Sequence, residues 1–231
     1  MSAPKVGRFT SAAIPLPLEN IDTDQIVPAR YLKVIDKAGL AEALFRDWRF
    51  NADDTMKVPP FILDEPRYRG RSILVAGENF GSGSSREHAP WALLAFGIKA
   101  VIATKFADIF MNNALKNGLL PIVVPHDLHA QLLAMAADDG ASEITIDLAA
   151  ATLESGAGEP YLFPIDSFNQ KMLVEGLDEL DYVRTHSEEI AAYESTHPRT
   201  IDTRGTSPEG DRKSTRLNSS HSQQSRMPSS A

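Results

Sequence analysis

The 231-residue sequence contains no cysteine. A chain without thiols forms no disulfide, offers no thiolate nucleophile, and by itself holds no iron–sulfur cluster and no cysteine-bearing zinc site. It also lacks an apolar run of the roughly 18–20 residues that a membrane-spanning helix needs. The opening MSAPKVGRFTSAAIPLPLEN has no secretory h-region, because Pro15 and Pro17 interrupt its apolar residues. Basic charge is not in excess either. The net charge is −8, which argues against a nucleic-acid or anionic-membrane surface. These absences lead us to expect a soluble, cytoplasmic chain with no membrane or nucleic-acid partner.

What is present is an ordinary globular composition, 42% hydrophobic and 23% charged, long enough for one sizeable core or two small ones. The composition changes near Arg204. From Thr206 to Ala231 the sequence TSPEGDRKSTRLNSSHSQQSRMPSSA has eight serines and three apolar residues, so it cannot offset its ordering entropy. We expect a disordered extension there, a read-through or expression scar rather than evolved sequence, and a single domain over residues 1–205. Within that domain Arg71–Glu78, Ile98–Thr104 and Leu119–Pro125 read as buried strands. Helical patterns lie between them at Arg86–Phe96 and Lys105–Asn117, the latter closed by Gly118. Strand–helix–strand alternation of this spacing predicts parallel strands joined by right-handed crossovers, an α/β fold. Another helix is expected over Asp127–Asp139, added strands over Glu143–Leu148 and Pro160–Ile165, and closing helices over Ser167–Gly176 and Leu177–Glu194. An early helix is expected over Lys37–Trp48, capped by Asp36.

The stretch richest in chemistry is GENFGSGSSREH, residues 77–88, which follows a strand and opens a helix. Glycines permit a tight turn and close approach of a ligand, and free N–H groups at a helix start favour an anion. Two hydroxyls and the Arg86 guanidinium add donors suited to carboxylate or phosphate. A Walker A loop needs a terminal Gly-Lys-Ser/Thr, which is missing; the dinucleotide fingerprint fails at Arg86; the Gly-x-Ser-x-Gly elbow fails for want of a glycine after Ser84 or Ser85. Three readings stay open from spacing alone: a serine cap on the helix, an anion site, and a Ser84–His88 nucleophile–base pair. His126, His129, His186 and His197 show no metal-ligand spacing and are expected at the surface; no metal site is expected.

Taken whole, FGSGSSREHAPWAL resembles the signature of the small subunits of 3-isopropylmalate dehydratase, the leucine-biosynthesis branch of the aconitase superfamily. NIDTDQIVPARYL from Asn20 resembles the family's N-terminal active-site loop. LFRDWRF at Leu44–Phe50, FADIF at Phe106–Phe110, Asn113 and GLLP at Gly118–Pro121 follow in the family's order. The likeness spans about residues 5–200. It implies the swivelling β/β/α domain equivalent to the mobile fourth domain of aconitase, with a parallel βαβ core.

The resemblance also implies the reaction, 2-isopropylmalate to 3-isopropylmalate by dehydration to 2-isopropylmaleate and rehydration. It implies a separate large subunit carrying a [4Fe–4S] cluster, with no cofactor held by this chain. A homoaconitase or citraconate/methylmalate-type small subunit, or a non-catalytic anion-binding regulatory subunit, are the alternatives. By the motif match Ser84 corresponds to the catalytic base, Arg86 to a carboxylate-binding arginine, and Ser85 to a neighbouring donor. The resemblance likewise makes Arg30, Tyr31, Leu32, Lys33 and Val34 the loop that faces the substrate's variable group. Asp22 and Asp24 either orient an arginine or cap the following turn. Gly81 and Gly83 shape the glycine turn, and His88 and Asn113 support it.

Overall fold

The computed structural model describes residues 5–32, 39–83, 85–138, 142–156 and 158–197. Ser84, Lys33, Val34, Asp36 and the serine-rich end 206–231 therefore lie outside the described residues. The chain divides into two compact units, Met1–Arg184 and Thr185–Ala231.

The first unit is built on a seven-stranded sheet. Its strands are β1 (Phe9–Leu16), β2 (Ile73–Ala76), β3 (Ala100–Ala103), β4 (Leu120–Val123), β5 (Glu143–Asp147), β6 (Thr152–Glu154) and β7 (Tyr161–Leu162), in the order β4-β3-β2-β1-β5-β6-β7. From β4 to β1 the pairing is parallel, and from β1 to β7 it is antiparallel. β1 serves both halves. Phe9–Ala12 pair with β5, whereas Ala13–Leu16 pair with β2. Sequence reading missed β1 because Pro15 lies inside it, and proline gives up a ladder N–H. In the register described, Ala13–Leu16 pair on the β2 side, so Pro15 has no strand to serve on the other. The sheet curls, and the Tyr161 hydroxyl of β7 donates to the Val123 carbonyl of β4 at 3.3 Å.

Residues of the parallel strands alternate between two cores. Ile14, Leu74 and Val101 join one cluster; Ala13, Ile73, Val75 and Ile102 join the other. Burial on both faces explains why these strands read as continuous apolar runs. The crossover helices are α4 (His88–Phe96) and α5 (Asp108–Asn117), preceded in the chain by α1 (Thr23–Ile26), α2 (Leu40–Ala43) and α3 (Arg46–Arg49). The helix expected from Arg86 thus begins at His88.

The helix expected over Lys37–Trp48 is broken. Phe45 sits between α2 and α3 with a left-handed φ of 46°, fully buried, its N–H bonded to the Ile26 carbonyl at 2.7 Å. Its ring stacks on Trp48 with centroids 5.1 Å apart, so burial of the aromatic pair overrides local helix propensity.

Two further helices, α6 (His126–Ala137) and α7 (Ser167–Glu175), belong to the second core. α6 packs on β1 and β2 and corrects one expectation. His129 is buried, not a surface residue, and its Nε2 lies 2.6 Å from the Ala76 carbonyl. A carbonyl only accepts, so Nε2 is the protonated nitrogen. The closing helix expected over Leu177–Glu194 is two, α8 (Glu179–Thr185) and α9 (Ser187–Thr196), with His186 between them at φ −100°, ψ 14°.

Candidate functional site at the glycine turn

The turn after β2 is stitched to the segment leading into α1. The Gly81 and Ser82 N–H groups both donate to the Ile21 carbonyl, at 2.8 and 3.0 Å, and the Thr23 N–H donates to the Ser82 carbonyl at 2.8 Å. Farther out, the Asn20 N–H reaches the Glu78 carbonyl at 2.8 Å, and the Asn79 amide donates to Asn20 Oδ1 at 2.9 Å. Two glycines make this approach possible. Gly81 has φ +79°, and a Cβ there would overlap the Phe110 ring; Gly83 has φ +95°, and a Cβ there would overlap the Asp22 carboxylate. Both positions combine a left-handed backbone with no room for a side chain.

The two aspartates of the following helix divide the work. Asp22 caps α1. Its carboxylate accepts from the Asp24 N–H at 2.6 Å, and the Gln25 side chain accepts from the Asp22 N–H at 2.8 Å, closing a capping box. Asp24 turns the other way and forms an ion pair with Arg86. The Arg86 side chain is three-quarters buried while Asp24 is half-exposed. The guanidinium is thus held from one side at the rim of the turn.

A brace closes around the far side. Asn113 on α5 donates to the Ser85 carbonyl at 3.4 Å. Asn117, one turn later, donates to the Asn113 carbonyl at 2.8 Å and accepts from Trp91 Nε1 at 2.5 Å. The Trp91 ring lies 5.0 Å from the His88 ring. Ser84 is outside the described residues; Gly83 lies against the Asp22 carboxylate and the Ser85 carbonyl meets the Asn113 amide. The N-cap of α4 is Glu87 with no side-chain cap bond, so Ser85 does not cap that helix.

A second polar cluster lies beyond α1. The 3-10 turn Ala29–Tyr31 carries Arg30, whose guanidinium grips Asp47 on α3 with two hydrogen bonds, Nη1 to Oδ2 at 3.1 Å and Nη2 to Oδ1. Arg30 also lies 5.0 Å over the Tyr31 ring, and the Leu32 N–H closes the turn onto the Ala29 carbonyl at 3.2 Å. The Arg30 hydrogen bond, together with the charges of Arg30, Lys57 and Arg46, holds the Asp47 carboxyl below the usual carboxylate range against a smaller opposing effect of burial. Arg30, Tyr31, Arg46, Asp47, Phe50 and Lys57 help to line a polar cavity of about 540 Å³.

Residues 4–127 match the family described as the aconitase C-terminal domain. The chain is 51% identical over 195 residues to the 3-isopropylmalate dehydratase small subunit of Roseiflexus sp., covering 84% of this chain and 95% of that one. It is 53% identical over 184 residues to the small subunit of the same name from Anaeromyxobacter dehalogenans, covering 80% and 94%. The chain belongs to the aconitase C-terminal-domain family, among the 3-isopropylmalate dehydratase small subunits. The crystal structure of 3-isopropylmalate dehydratase from Methanocaldococcus jannaschii matches its fold with a TM-score of 0.57 at 27% identity, covering 80% of this chain and 99% of that one. The swivel-domain architecture of this dehydratase small subunit accords with the parallel βαβ core and curled sheet described above.

As a small subunit the chain is one part of a hydro-lyase that works as a heteromer. Among its described residues no group of three or more His, Asp or Glu converges as a metal site needs. No described helix is long and apolar enough to cross a membrane. The fold brings Asp22, Asp24, Gly81, Gly83, Ser85, Arg86, His88 and Asn113 to one turn and its braces, while Arg30 and Tyr31 join the Asp47 cluster instead. Sequence reading did not single out Ser82, Asp47 or Asn117. The LFRDWRF block contained Asp47, but its partner Arg30 is 17 residues away across a broken helix, a pairing that no local period signals.

Proposed function

We propose that this chain supplies one wall of the isopropylmalate isomerase site, binding a dicarboxylate that its glycine turn and substrate loop face once the large subunit docks. The observation that supports the reading is Arg86, paired with Asp24 at the glycine turn, because a guanidinium can grip a carboxylate through two parallel hydrogen bonds. Ser84 is assigned as the base that takes the C–H proton beside a carboxylate, working as an alkoxide. Ser85 is the neutral donor beside it, and Arg30-Tyr31-Leu32-Lys33-Val34 face the substrate's variable group.

The alkoxide has a physical requirement. A helix terminus stabilises a nearby anion by at most about 2 kcal/mol, or about 1.5 pKa units. Because α4 begins at His88, four residues beyond Ser84, even that is weakened. The rest must come from Arg86 and from exclusion of water when the partner closes the site, so the isolated chain is expected to be inert. The group that accepts the departing hydroxyl is assigned to the large subunit, as a [4Fe–4S] cluster, because a chain with no cysteine has no thiolate to hold one. We place the heteromer in the cytoplasm, where thiolate ligands of such a cluster stay reduced. Residues 206–231 are proposed to lie outside the working domain.

Steady-state kinetics on the reconstituted heteromer test this. Ser84→Ala is expected to lower kcat by about 10³-fold with KM within a few-fold of wild type. Arg86→Lys is expected to raise KM, since a point charge cannot reproduce a two-bond grip. Truncation after Arg204 is expected to change neither constant. A Ser84→Ala enzyme with near-normal kcat would move the base elsewhere and leave the turn an anion cradle.

A further inference from the structure

The LFRDWRF block is only partly explained by packing. Arg49 faces inward, where it is bound by Asp64 through Nε and Nη2 and donates to the carbonyls of Ala41 and Leu44. Trp48 lies against Phe45 and Phe61. Asp47 does neither. Its carboxylate points outward, more than half exposed, and engages both terminal nitrogens of Arg30. An exposed ion pair contributes little to stability, so stability alone is a poor account of it. A two-bond pair does fix direction, because a planar guanidinium gripped end-on by a carboxylate loses its rotational freedom.

The body carrying Asp47 is firmly anchored. The Phe45 N–H ties the start of α3 to the Ile26 carbonyl at the end of α1, and Lys57 Nζ bonds the Asp47 carbonyl at 2.6 Å. The same α1 presents Asp24 to Arg86 at its other end. Two arginines near α1 in the chain are thus each held by an aspartate: Arg86 by Asp24 and Arg30 by Asp47. Five residues lie between Asp24 and Arg30, which limits their Cα atoms to about 20 Å apart even if extended.

We infer that Asp47 is a positioning residue that fixes the direction of Arg30, so that the substrate loop presents a pre-aimed guanidinium. This rests on the proposed assignment of Arg30 to the substrate loop. Asp47 touches no reacting atom. It spares binding the cost of ordering a long, half-exposed arginine, so its removal weakens substrate binding and leaves the chemical step alone.

The test is the reconstituted heteromer with 2-isopropylmalate, comparing Arg30→Ala, Asp47→Asn, Asp47→Glu and the double variant Arg30→Ala/Asp47→Asn. Asp54→Asn serves as control, since Asp54 pairs with Arg46 on the same cavity wall without touching Arg30. Asp47→Asn is expected to raise KM about fivefold with kcat within about twofold, the size of one exposed charge pair. Asp47→Glu should recover part of the loss, the double variant should bind no worse than Arg30→Ala alone, and Asp54→Asn should match wild type. If Arg30→Ala raises KM while Asp47→Asn does not, the positioning role is overturned and the substrate-loop assignment stands. An Arg30→Ala enzyme with unchanged KM overturns both. No turnover of 2-isopropylmalate by the wild-type heteromer would instead refute the proposed reaction. Equal losses for Asp47→Asn and Asp54→Asn would reduce Asp47 to a structural role and overturn the inference.

Discussion

Replacing Gly83 with alanine tests how closely the glycine turn is clamped to the α1 cap. Gly83 adopts φ +95°, and its missing Cβ leaves the space that the Asp22 carboxylate fills. Forcing an L-residue into that region costs roughly 1–2 kcal/mol. Displacing Asp22 forfeits an N-cap worth about 1 kcal/mol. The sum is about 2–3 kcal/mol, below the roughly 5–15 kcal/mol that holds a domain together, so the protein should still fold. For a chain of this length that corresponds to a fall in Tm of about 4–12 °C, readable by differential scanning calorimetry on the isolated subunit. The mechanism can be separated from general damage by adding Asp22→Ala. Removing the carboxylate opens space for the new methyl group, so the double variant should be less destabilised than the two single changes added together, by about 1 kcal/mol. Backbone strain would remain. A Gly83→Ala protein melting within about 2 °C of wild type, or strict additivity with Asp22→Ala, would refute this account of the turn.

The Arg49–Asp64 pair, with side chains 9% and 8% exposed, should behave very differently from the surface pairs. Asp64→Ala is expected to cost about 3–5 kcal/mol in chemical denaturation because it strands a buried guanidinium, while Arg49→Met with Asp64→Leu should recover most of that loss. Acid should act on the Arg30–Asp47 pair in one direction only. Asp47 titrates below its unfolded value of 3.8, so its contribution is fully present above that pH and disappears as pH falls through the lower folded value. The stability difference between wild type and Asp47→Asn, followed by denaturation from neutral pH downward, should stay constant to about pH 4 and then shrink. A difference that grew on acidification would reverse the sign and refute the assignment.

Much of this protein is legible in its residue pattern. The buried strands β2, β3 and β4 stand out as short apolar runs because a parallel sheet covered on both faces has no polar side to alternate with. Their spacing with α4 and α5 fixes the crossover arrangement, since right-handed connections leave few alternatives. The glycine turn stands out as a tight, donor-rich turn from its composition, and the motif blocks carry the family. What local pattern does not supply are elements whose identity depends on distant partners. β1 contains Pro15 and looks like a poor strand, yet it is the pivot of the sheet because β5 and β2 each pair with a different half of it. Phe45 interrupts a good helical pattern because the core gains more from burying its ring than the backbone loses in one left-handed residue. His129 has the pattern of a surface residue and is buried only because α6 lies across β2.

The sequence by itself determined the α/β class, the parallel core, the glycine turn and the chemistry available there: hydroxyls, one guanidinium and no thiol. Tertiary structure alone decided how those groups are aimed. Asp22 and Asp24 are two residues apart and chemically identical, yet one caps a helix and the other pairs with Arg86, because the four-residue α1 points them to opposite sides. Arg30 and Asp47 meet only because Phe45 breaks the chain between α2 and α3 and turns α3 toward the loop after α1. Residue types and their spacing travel with the chain. The direction of a side chain is set by whatever packs around it, and that exists only after folding.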